Sequence, residues 1–163
     1  MNSGKYPQSE IEIDTYLKDG DDFYRFDCFA GKIKDPDYID GAIELTIDGV
    51  KLITVEMWDN IDCLWAYIAQ GLEALSKGKD FSTNFPDQPI KLKFTQIYDN
   101  RVLVSVKCIE TKKVIVDKVD LMETLREHIK NFLADLIVRV PRNQDCYLSI
   151  INDLDNIVTS RYD

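Results

Sequence analysis

The first third of the chain alternates between hydrophobic and polar residues, a period typical of β-strands with one buried face. Short strands are predicted at residues 10–14 and 23–30, joined by the acidic stretch 19–22. A hairpin is predicted at residues 42–55, because Asp48-Gly49 suits a two-residue turn with positive φ. Counting back from that turn gives a nearly all-aliphatic face that pairs Ile47 with Val50, Leu45 with Leu52, and Ile43 with Thr54.

The hydrophobic period becomes helical between residues 56 and 77. One stripe about 100° wide predicts an amphipathic helix, and its members are Trp58, Ile61, Leu64, Trp65, Ile68, Leu72 and Leu75. Gly78 suits the position just past a helix end. The following loop, 79–89, carries Phe81 and Phe85, which we expect to fold back over the edge of the core.

The second half repeats the order of hairpin and then helix. Apolar matching across residues 90–109 favours a three-residue turn, Tyr98-Asp99-Asn100, which pairs Phe94 with Val104 and Leu92 with Val106. A further strand is predicted at 114–116. Asp117 is a suitable N-cap for a helix that reaches about residue 140, where Pro141 ends it. A last helix is predicted at 144–160.

These elements predict an α+β fold, with about six or seven strands in antiparallel hairpins packed against two to three amphipathic helices. Residues 1–163 suit a single domain with a loose N-terminus at 1–8, although lobes at 9–78 and 90–163 are an alternative. A shift of 61 residues aligns Ile53-Thr54-Val55 with Val114-Ile115-Val116 and superposes the two helical stripes. Either a duplicated strand–helix unit or shared periodicity alone explains this match.

The formal charge is unevenly distributed along the chain. Residues 1–62 carry 15 acidic and 6 basic residues, whereas residues 63–163 carry 14 of each. An acidic protein is a poor ligand for nucleic acid or for anionic membrane surfaces. No apolar stretch reaches the length of a membrane span, and the N-terminus lacks the apolar core of a secretory signal, so we expect a cytoplasmic protein.

The sequence contains no pattern typical of a metal site or a disulfide framework. Cys28, Cys63, Cys108 and Cys146 form no C-x-x-C pair, and we expect reduced, mostly buried thiols. The acid-rich stretch 35–41 fails the EF-hand spacing, because Gly41 comes one position late and Thr46 stands where the bidentate Glu belongs. Turn chemistry explains this stretch without an ion.

No catalytic or nucleotide-binding motif is present. The single histidine, His128, lies at the margin of its helix stripe, where a half-buried boundary position is the simpler interpretation than a catalytic base. Neither G-x-x-x-x-G-K-[ST] nor G-x-G-x-x-G occurs, and no cofactor is expected. The sequence therefore leans away from an enzyme.

The acidic N-terminal region favours a protein-interaction module that binds a basic protein, the general character of small acidic proteins that neutralise a nuclease or toxin. Tyr38 would supply contact area, and the charge would come from Asp19, Asp21, Asp22, Asp35, Asp37 and Asp40. The alternative is a small-molecule-binding protein or an uncharacterised enzyme. Its pocket would lie between sheet and helices and would be lined by Trp58, Trp65 and Tyr67.

Overall fold

A computed structural model describes residues 8–159 as two antiparallel sheets and three α-helices. The strands of the first sheet are β1 (Ile11–Asp19), β2 (Asp22–Arg25), β3 (Asp40–Ile47), β4 (Val50–Ile53) and β5 (Asp59–Asn60). Those of the second are β6 (Phe81–Asn84), β7 (Lys91–Ile97), β8 (Arg101–Lys107) and β9 (Thr111–Asp117). The helices are α1 (Ile61–Ser76), α2 (Lys118–Arg139) and α3 (Gln144–Asp155). The predicted α+β class is confirmed.

Both sheets pack one face against the helices. The first has the order β2-β1-β3-β4, with β5 beside β3, and the second has the order β6-β7-β8-β9. Helix α1 contacts β3, β6 and β7, while α2 contacts β1 and β9. Strand β4 lies beside β9, and buried residues of both sheets and of α1, α2 and α3 form one hydrophobic cluster.

The first hairpin has the predicted turn but not the predicted register throughout. Asp48 and Gly49 have φ values of 48° and 81°, and Ile47 pairs with Val50 as expected. Beyond the turn a β-bulge pairs Leu45 with Ile53, so the expected pairs Leu45–Leu52 and Ile43–Thr54 were wrong. The extra residue allows two consecutive side chains, Leu52 and Ile53, to be buried, which strict alternation forbids.

The second predicted strand, 23–30, was too long, and the first, 10–14, was too short. Strand β1 continues to Asp19, and Asp19 pairs with Asp22 across a tight turn. Strand β2 stops at Arg25, and residues 26–28 form a 3-10 turn. This turn directs Phe26 inward, where its ring centroid lies 5.3 Å from that of Phe132. The contact of Phe26 with the core therefore ends the strand, although the alternation of hydrophobic and polar residues continues to residue 30.

The first helix begins at Ile61 rather than at residue 56. A 3-10 turn occupies 55–57, and β5 pairs Asp59 with Gly41 and Asn60 with Asp40. Trp58 consequently lies before the helix and not on its stripe. The expected end is confirmed, since Gly78 has φ 73° just past the helix.

The segment 79–89 was predicted as a loop, but it contains β6. Its aromatic residues cover the core as expected. Phe85 is buried, and the Phe81 ring centroid lies 5.9 Å from that of Phe94. The prediction missed β6 because Ser82, Thr83 and Asn84 give no apolar alternation.

The three-residue turn of the second hairpin is confirmed. Ile97 pairs with Arg101 and Phe94 with Val104, while Asp99 and Asn100 both have positive φ, at 60° and 57°. The N-cap of α2 is also confirmed, because the Asp120 N–H donates to Asp117 Oδ1 at 2.8 Å. Helix α3 ends at Asp155, short of the predicted 160.

Gly71 in α1 lies where the helix meets two aromatic rings. A Cβ there would come within 2.7 Å of Phe81 Cδ1 and 2.9 Å of Phe94 Cε2. We expect Gly71→Ala to lower the free energy of unfolding by about 1–3 kcal/mol through overpacking. This would exceed the gain of about 1 kcal/mol that alanine brings to a helix.

Urea unfolding measures this effect, with Gln70→Ala on the exposed side of the same helix as the control. Phe81→Leu added to Gly71→Ala should recover part of the loss. A Gly71→Ala protein more stable than the wild type would contradict the close packing of α1 on the second sheet.

Candidate functional site

A cleft of about 320 Å³ opens at one end of the first sheet. It lies between the turn after β1 and the segment 29–40 that leads into β3. Its buried apolar residues are Leu17, Phe29 and Ile39. The cleft therefore combines an apolar floor with exposed polar walls, the composition typical of a binding site.

The structure brings four of the seven predicted partner-binding residues to this cleft. Asp19, Asp35, Asp40 and Tyr38 line it, and Tyr38 is 68% exposed. Asp21 and Asp22 follow Gly20, another lining residue, in the β1–β2 turn. Residues that are distant in sequence thus meet at one surface, which we call the N-terminal cleft.

Basic residues partly neutralise the N-terminal cleft. Lys18, Lys32 and Lys34 also line it, and Lys34 Nζ lies 3.6 Å from Asp19 Oδ1. Arg142, from the segment before α3, forms an ion pair with Asp37. The lining itself is formally neutral, because Asp19, Asp35 and Asp40 balance Lys18, Lys32 and Lys34. The net charge of −2 comes from Asp21, Asp22 and Asp37 against Arg142, which lie outside the lining. The acidic character is therefore concentrated on the aspartates without an ion pair within 4 Å among the described residues, namely Asp21, Asp22, Asp35 and Asp40.

The loop that carries Asp35 and Tyr38 is held in place by hydrogen bonds. Within the loop, the Asp37 N–H donates to Asp35 Oδ1 at 2.9 Å, and the Tyr38 N–H donates to the Asp35 carbonyl at 3.2 Å. Asn143 Nδ2 donates to the Pro36 carbonyl at 3.1 Å. The exposed Tyr38 side chain thus lies on a turn that hydrogen bonds hold in place.

Further hydrogen bonds connect Asn143, which holds this loop, to helices α3 and α1. Asn143 Nδ2 also donates to the Tyr147 hydroxyl at 3.2 Å, and that hydroxyl donates to Asp62 Oδ2 at 2.8 Å. Burial, with Asp62 nearby, raises the pKa of Tyr147 above its usual range. The tyrosine therefore stays protonated at neutral pH and can donate to Asp62.

The structure does not gather the three residues of the alternative pocket. Trp65 is fully buried, and its indole Nε1 donates to Thr15 Oγ1 at 3.0 Å. Trp58 is 38% exposed, with Lys18 Nζ 4.4 Å from its ring centroid. Tyr67 lies half-buried on α1. Trp58 is the one member that approaches the N-terminal cleft, through its contact with Lys18.

His128 forms a buried polar network with Thr15 and Trp65 at the interface of β1, α1 and α2. Its Nε2 lies 2.7 Å from Thr15 Oγ1, and its ring centroid lies 5.4 Å from that of Trp65. Burial lowers the pKa of His128 to about 4. Because the indole N–H can only donate, Thr15 accepts it and is free to donate to a neutral His128.

This network offers no accessible nucleophile. Thr15 is 1% exposed, so no substrate reaches its hydroxyl. A separate candidate nucleophile is Cys63 on α1. Burial, and then the nearby Asp62, raise the pKa of its thiol to about 11, which keeps the thiol protonated at neutral pH. His128 therefore fits a structural role, as its boundary position on the helix indicated.

Asp59 is a buried carboxylate with several backbone donors, and the sequence patterns did not indicate it. Its carboxylate is 2% exposed and accepts hydrogen bonds from the backbone N–H groups of Asn60, Asp87 and Gln88, at 2.7 Å, 3.1 Å and 2.9 Å. It ties the 85–90 loop to the start of α1. Nothing in the local sequence distinguishes Asp59 from the other members of a set of 29 acidic residues.

The cysteines differ from expectation in their burial. Cys28, Cys108 and Cys146 are exposed and Cys63 is half-buried, so the expectation of mostly buried thiols was wrong. All four lie outside disulfides. Three of them occupy a short turn, a β-hairpin turn and the first turn of α3, surface positions that apolar periodicity does not reveal.

Comparison of the chain with known protein families, with curated proteins and with solved structures finds no significant match. Within residues 8–159, no helix is long and apolar enough to cross a membrane. The same residues contain no group of three or more His, Cys, Asp or Glu side chains arranged to hold a metal ion. The geometry of the N-terminal cleft is therefore the main guide to function.

Proposed function

We propose that this chain is a non-enzymatic protein-interaction module whose N-terminal cleft receives a basic side chain of a partner protein. The observation that carries the proposal is the meeting of Asp19, Asp35, Asp40 and Tyr38 around one apolar-floored cleft. An inserted lysine or arginine would lay its aliphatic stem along Phe29 and Ile39 and place its charge among the carboxylates.

The ordering of the cleft supports this proposal. Tyrosine contributes large contact area at low entropic cost, and Tyr38 is presented on a hydrogen-bonded turn. Four aspartates without an ion pair within 4 Å, of which Asp35 and Asp40 line the cleft and Asp21 and Asp22 follow the lining residue Gly20, would accelerate encounter with a basic surface. A cytoplasmic, inhibitor-like or immunity-like role for the module follows from this chemistry as part of the proposal.

The test is affinity capture from the source cells, identification of the captured protein, and calorimetry with the purified partner. We expect the double variant Asp35→Asn, Asp40→Asn to weaken binding by about tenfold or more, since neutralising central charges costs over about 1 kcal/mol. Asparagine at 35 retains the turn's acceptor oxygen. Binding should also weaken at about 0.5 M salt, where the Debye length is roughly 4 Å.

Glu110→Gln is the matched control, because it removes one negative charge from an exposed turn of the second sheet. Partner binding that is equally strong in the cleft variant and in this control would reject the cleft as the docking site.

A small cationic molecule is the second candidate occupant, because about 320 Å³ lies within the range of about 300–1,000 Å³ typical of ligand pockets. The Lys18 ammonium lies over the Trp58 ring, and Lys18 lines the cleft, so the fluorescence of Trp58 would report such binding. Saturable quenching of its fluorescence by a small cation, with no protein captured, would favour this candidate over the first.

A further inference from the structure

The outer face of the second sheet carries a cluster of lysines. In antiparallel pairs, directly opposite residues point to the same side. Lys93 is opposite Ser105, which is opposite Lys113, and Lys91 is opposite Lys107. The residues that alternate with them face the core and are buried, namely Leu92, Phe94, Val104 and Val106. We call the exposed cluster of Lys91, Lys93, Lys107 and Lys113 the lysine face.

The lysine face is not neutralised by its surroundings. None of its four members has an ion pair within 4 Å among residues 8–159. Strands β6 to β9 contain one acidic residue, Asp117, which caps α2. The net charge of residues 63–163 is zero in spite of this cluster, because acidic residues elsewhere balance the lysines. Of the 14 acidic residues in this segment, 8 lie on the helices.

Fold stability does not explain these lysines. Like charges directly opposite each other on neighbouring strands are destabilising, and Lys91 and Lys107 have this arrangement. Lysines often protect edge strands from unwanted pairing, but Lys91, Lys93 and Lys107 lie on β7 and β8, the two central strands of this sheet, and only Lys113 lies on the edge strand β9. A positive cluster with a repulsive pair and with three of its four members away from an edge points to an anionic ligand.

The row of residues beside the lysine face contains two apolar side chains and a threonine. Thr95, Leu103 and Ile115 lie opposite one another across β7, β8 and β9, and Ile115 is 44% exposed. Protein interfaces combine such an apolar strip with a charged margin. Outer-facing positions of these strands hold no aromatic side chain on which a nucleic-acid base would stack.

We infer that the lysine face docks an acidic protein surface whose carboxylates meet the lysines and whose aliphatic side chains cover Leu103 and Ile115. The rest of the chain has a formal charge of −13, the total of −9 less these four positive charges, and would repel a long polyanion that extended past the sheet. A compact acidic partner avoids that repulsion.

The dimensions of the face predict a weak, reversible contact. Three strands of seven residues and one of four, about 4.8 Å apart and with about 3.3 Å per residue, cover roughly 400 Å². This is about half of the area that one partner buries in a standard interface. We therefore expect dissociation constants in the micromolar range at low salt.

A defined peptide tests the inference on the whole protein. The probe has Glu at alternate positions in its first half and Leu at alternate positions in its second half. A second probe replaces each Leu with Ser, and a third is a single-stranded oligothymidylate of equal charge. Titration followed by amide NMR shifts should show the first probe binding most tightly, with shifts confined to β7, β8 and β9.

The double variant Lys93→Gln, Lys107→Gln should weaken binding of the first probe by about tenfold or more, while its urea midpoint stays equal or rises as repulsion is relieved. Ile115→Ser should weaken the first probe and not the second. Lys79→Gln, an exposed lysine just past α1, is the matched control.

Three outcomes would overturn the inference. The oligothymidylate binding as tightly as the first probe would identify a phosphate-binding face. Sedimentation showing self-association that the double lysine variant abolishes would identify a second copy of the chain as the occupant. Absence of any shift on β7 to β9 would leave the face without a ligand. The first and third results do not bear on the N-terminal cleft, which lies at one end of the other sheet.

Discussion

Replacing Asp59 with alanine is expected to lower the free energy of unfolding by about 2–4 kcal/mol, the largest effect of any single substitution proposed for this protein. The carboxylate accepts from the backbone N–H groups of Asn60, Asp87 and Gln88, and the residue is 2% exposed. Its removal takes the acceptor from one buried donor, that of Asn60, and from two part-buried donors, and an unsatisfied buried group costs about 1–3 kcal/mol. Water entering the vacated space would recover part of that cost.

Urea unfolding followed by far-UV circular dichroism measures this loss. Asp87→Ala is the matched control, because the backbone of Asp87 takes part in the network and its side chain is exposed. Asp59→Asn should fall between the two, since the amide keeps one acceptor oxygen but points a donor at other donors. Equal midpoints for Asp59→Ala and Asp87→Ala would show that the carboxylate does not hold the loop.

Acid should destabilise the protein through His128. The pKa of this residue is about 6.5 in an unfolded chain and about 4 in the fold, chiefly because of burial. The unfolded state therefore binds more protons between these values, and stability falls as the pH drops through that window. Linkage gives a loss of about 2 kcal/mol by pH 5 and about 3 kcal/mol below pH 4.

Comparison of the wild type with His128→Gln isolates this contribution, because the carboxylates titrate in both proteins. The groups that face His128 are Thr15, Trp65 and Phe26, with charges on Asp14, Arg25 and Asp27 acting from β1 and the segment after it. Glutamine can still bond to Thr15 but does not titrate. The stability difference between pH 7 and pH 5 should be smaller in the variant, and an identical difference in both proteins would contradict a depressed histidine pKa.

Turn chemistry and periodicity predicted the parts of the fold that local sequence controls. Asp48-Gly49, the three-residue turn ending at Asn100, and the Asp117 cap were all found where the sequence placed them. Each depends on backbone preferences of a few adjacent residues. The α+β class followed from the same local patterns.

The misplaced boundaries have tertiary causes. The bulge in β4, the inward turn of Phe26 and the β5 pairing before α1 all depend on residues far away in sequence. The strand β6 lacks alternation because it is an edge strand lying against Phe94 and Gly71. Single-sequence patterns carry no information about such partners.

The candidate sites also depend on contacts between residues that are distant in sequence. Counting charges placed the net negative charge in residues 1–62, but it did not show that Lys34 and Arg142 pair with two of the aspartates there. The lysine face escaped notice because its members come from three strands in a segment of zero net charge. Sequence patterns do not indicate Asp59, because its role depends on hydrogen bonds from three backbone N–H groups. Two of these groups belong to residues 28 and 29 positions away.

The anchoring of the 35–38 turn has a consequence for biosynthesis. Pro36 and Asp37 are held by Asn143 and Arg142, side chains that emerge more than 100 residues later. While translation is in progress, the turn presenting Tyr38 lacks these restraints. These two contacts of the turn can therefore form only late, after the polypeptide has left the ribosome as far as Asn143.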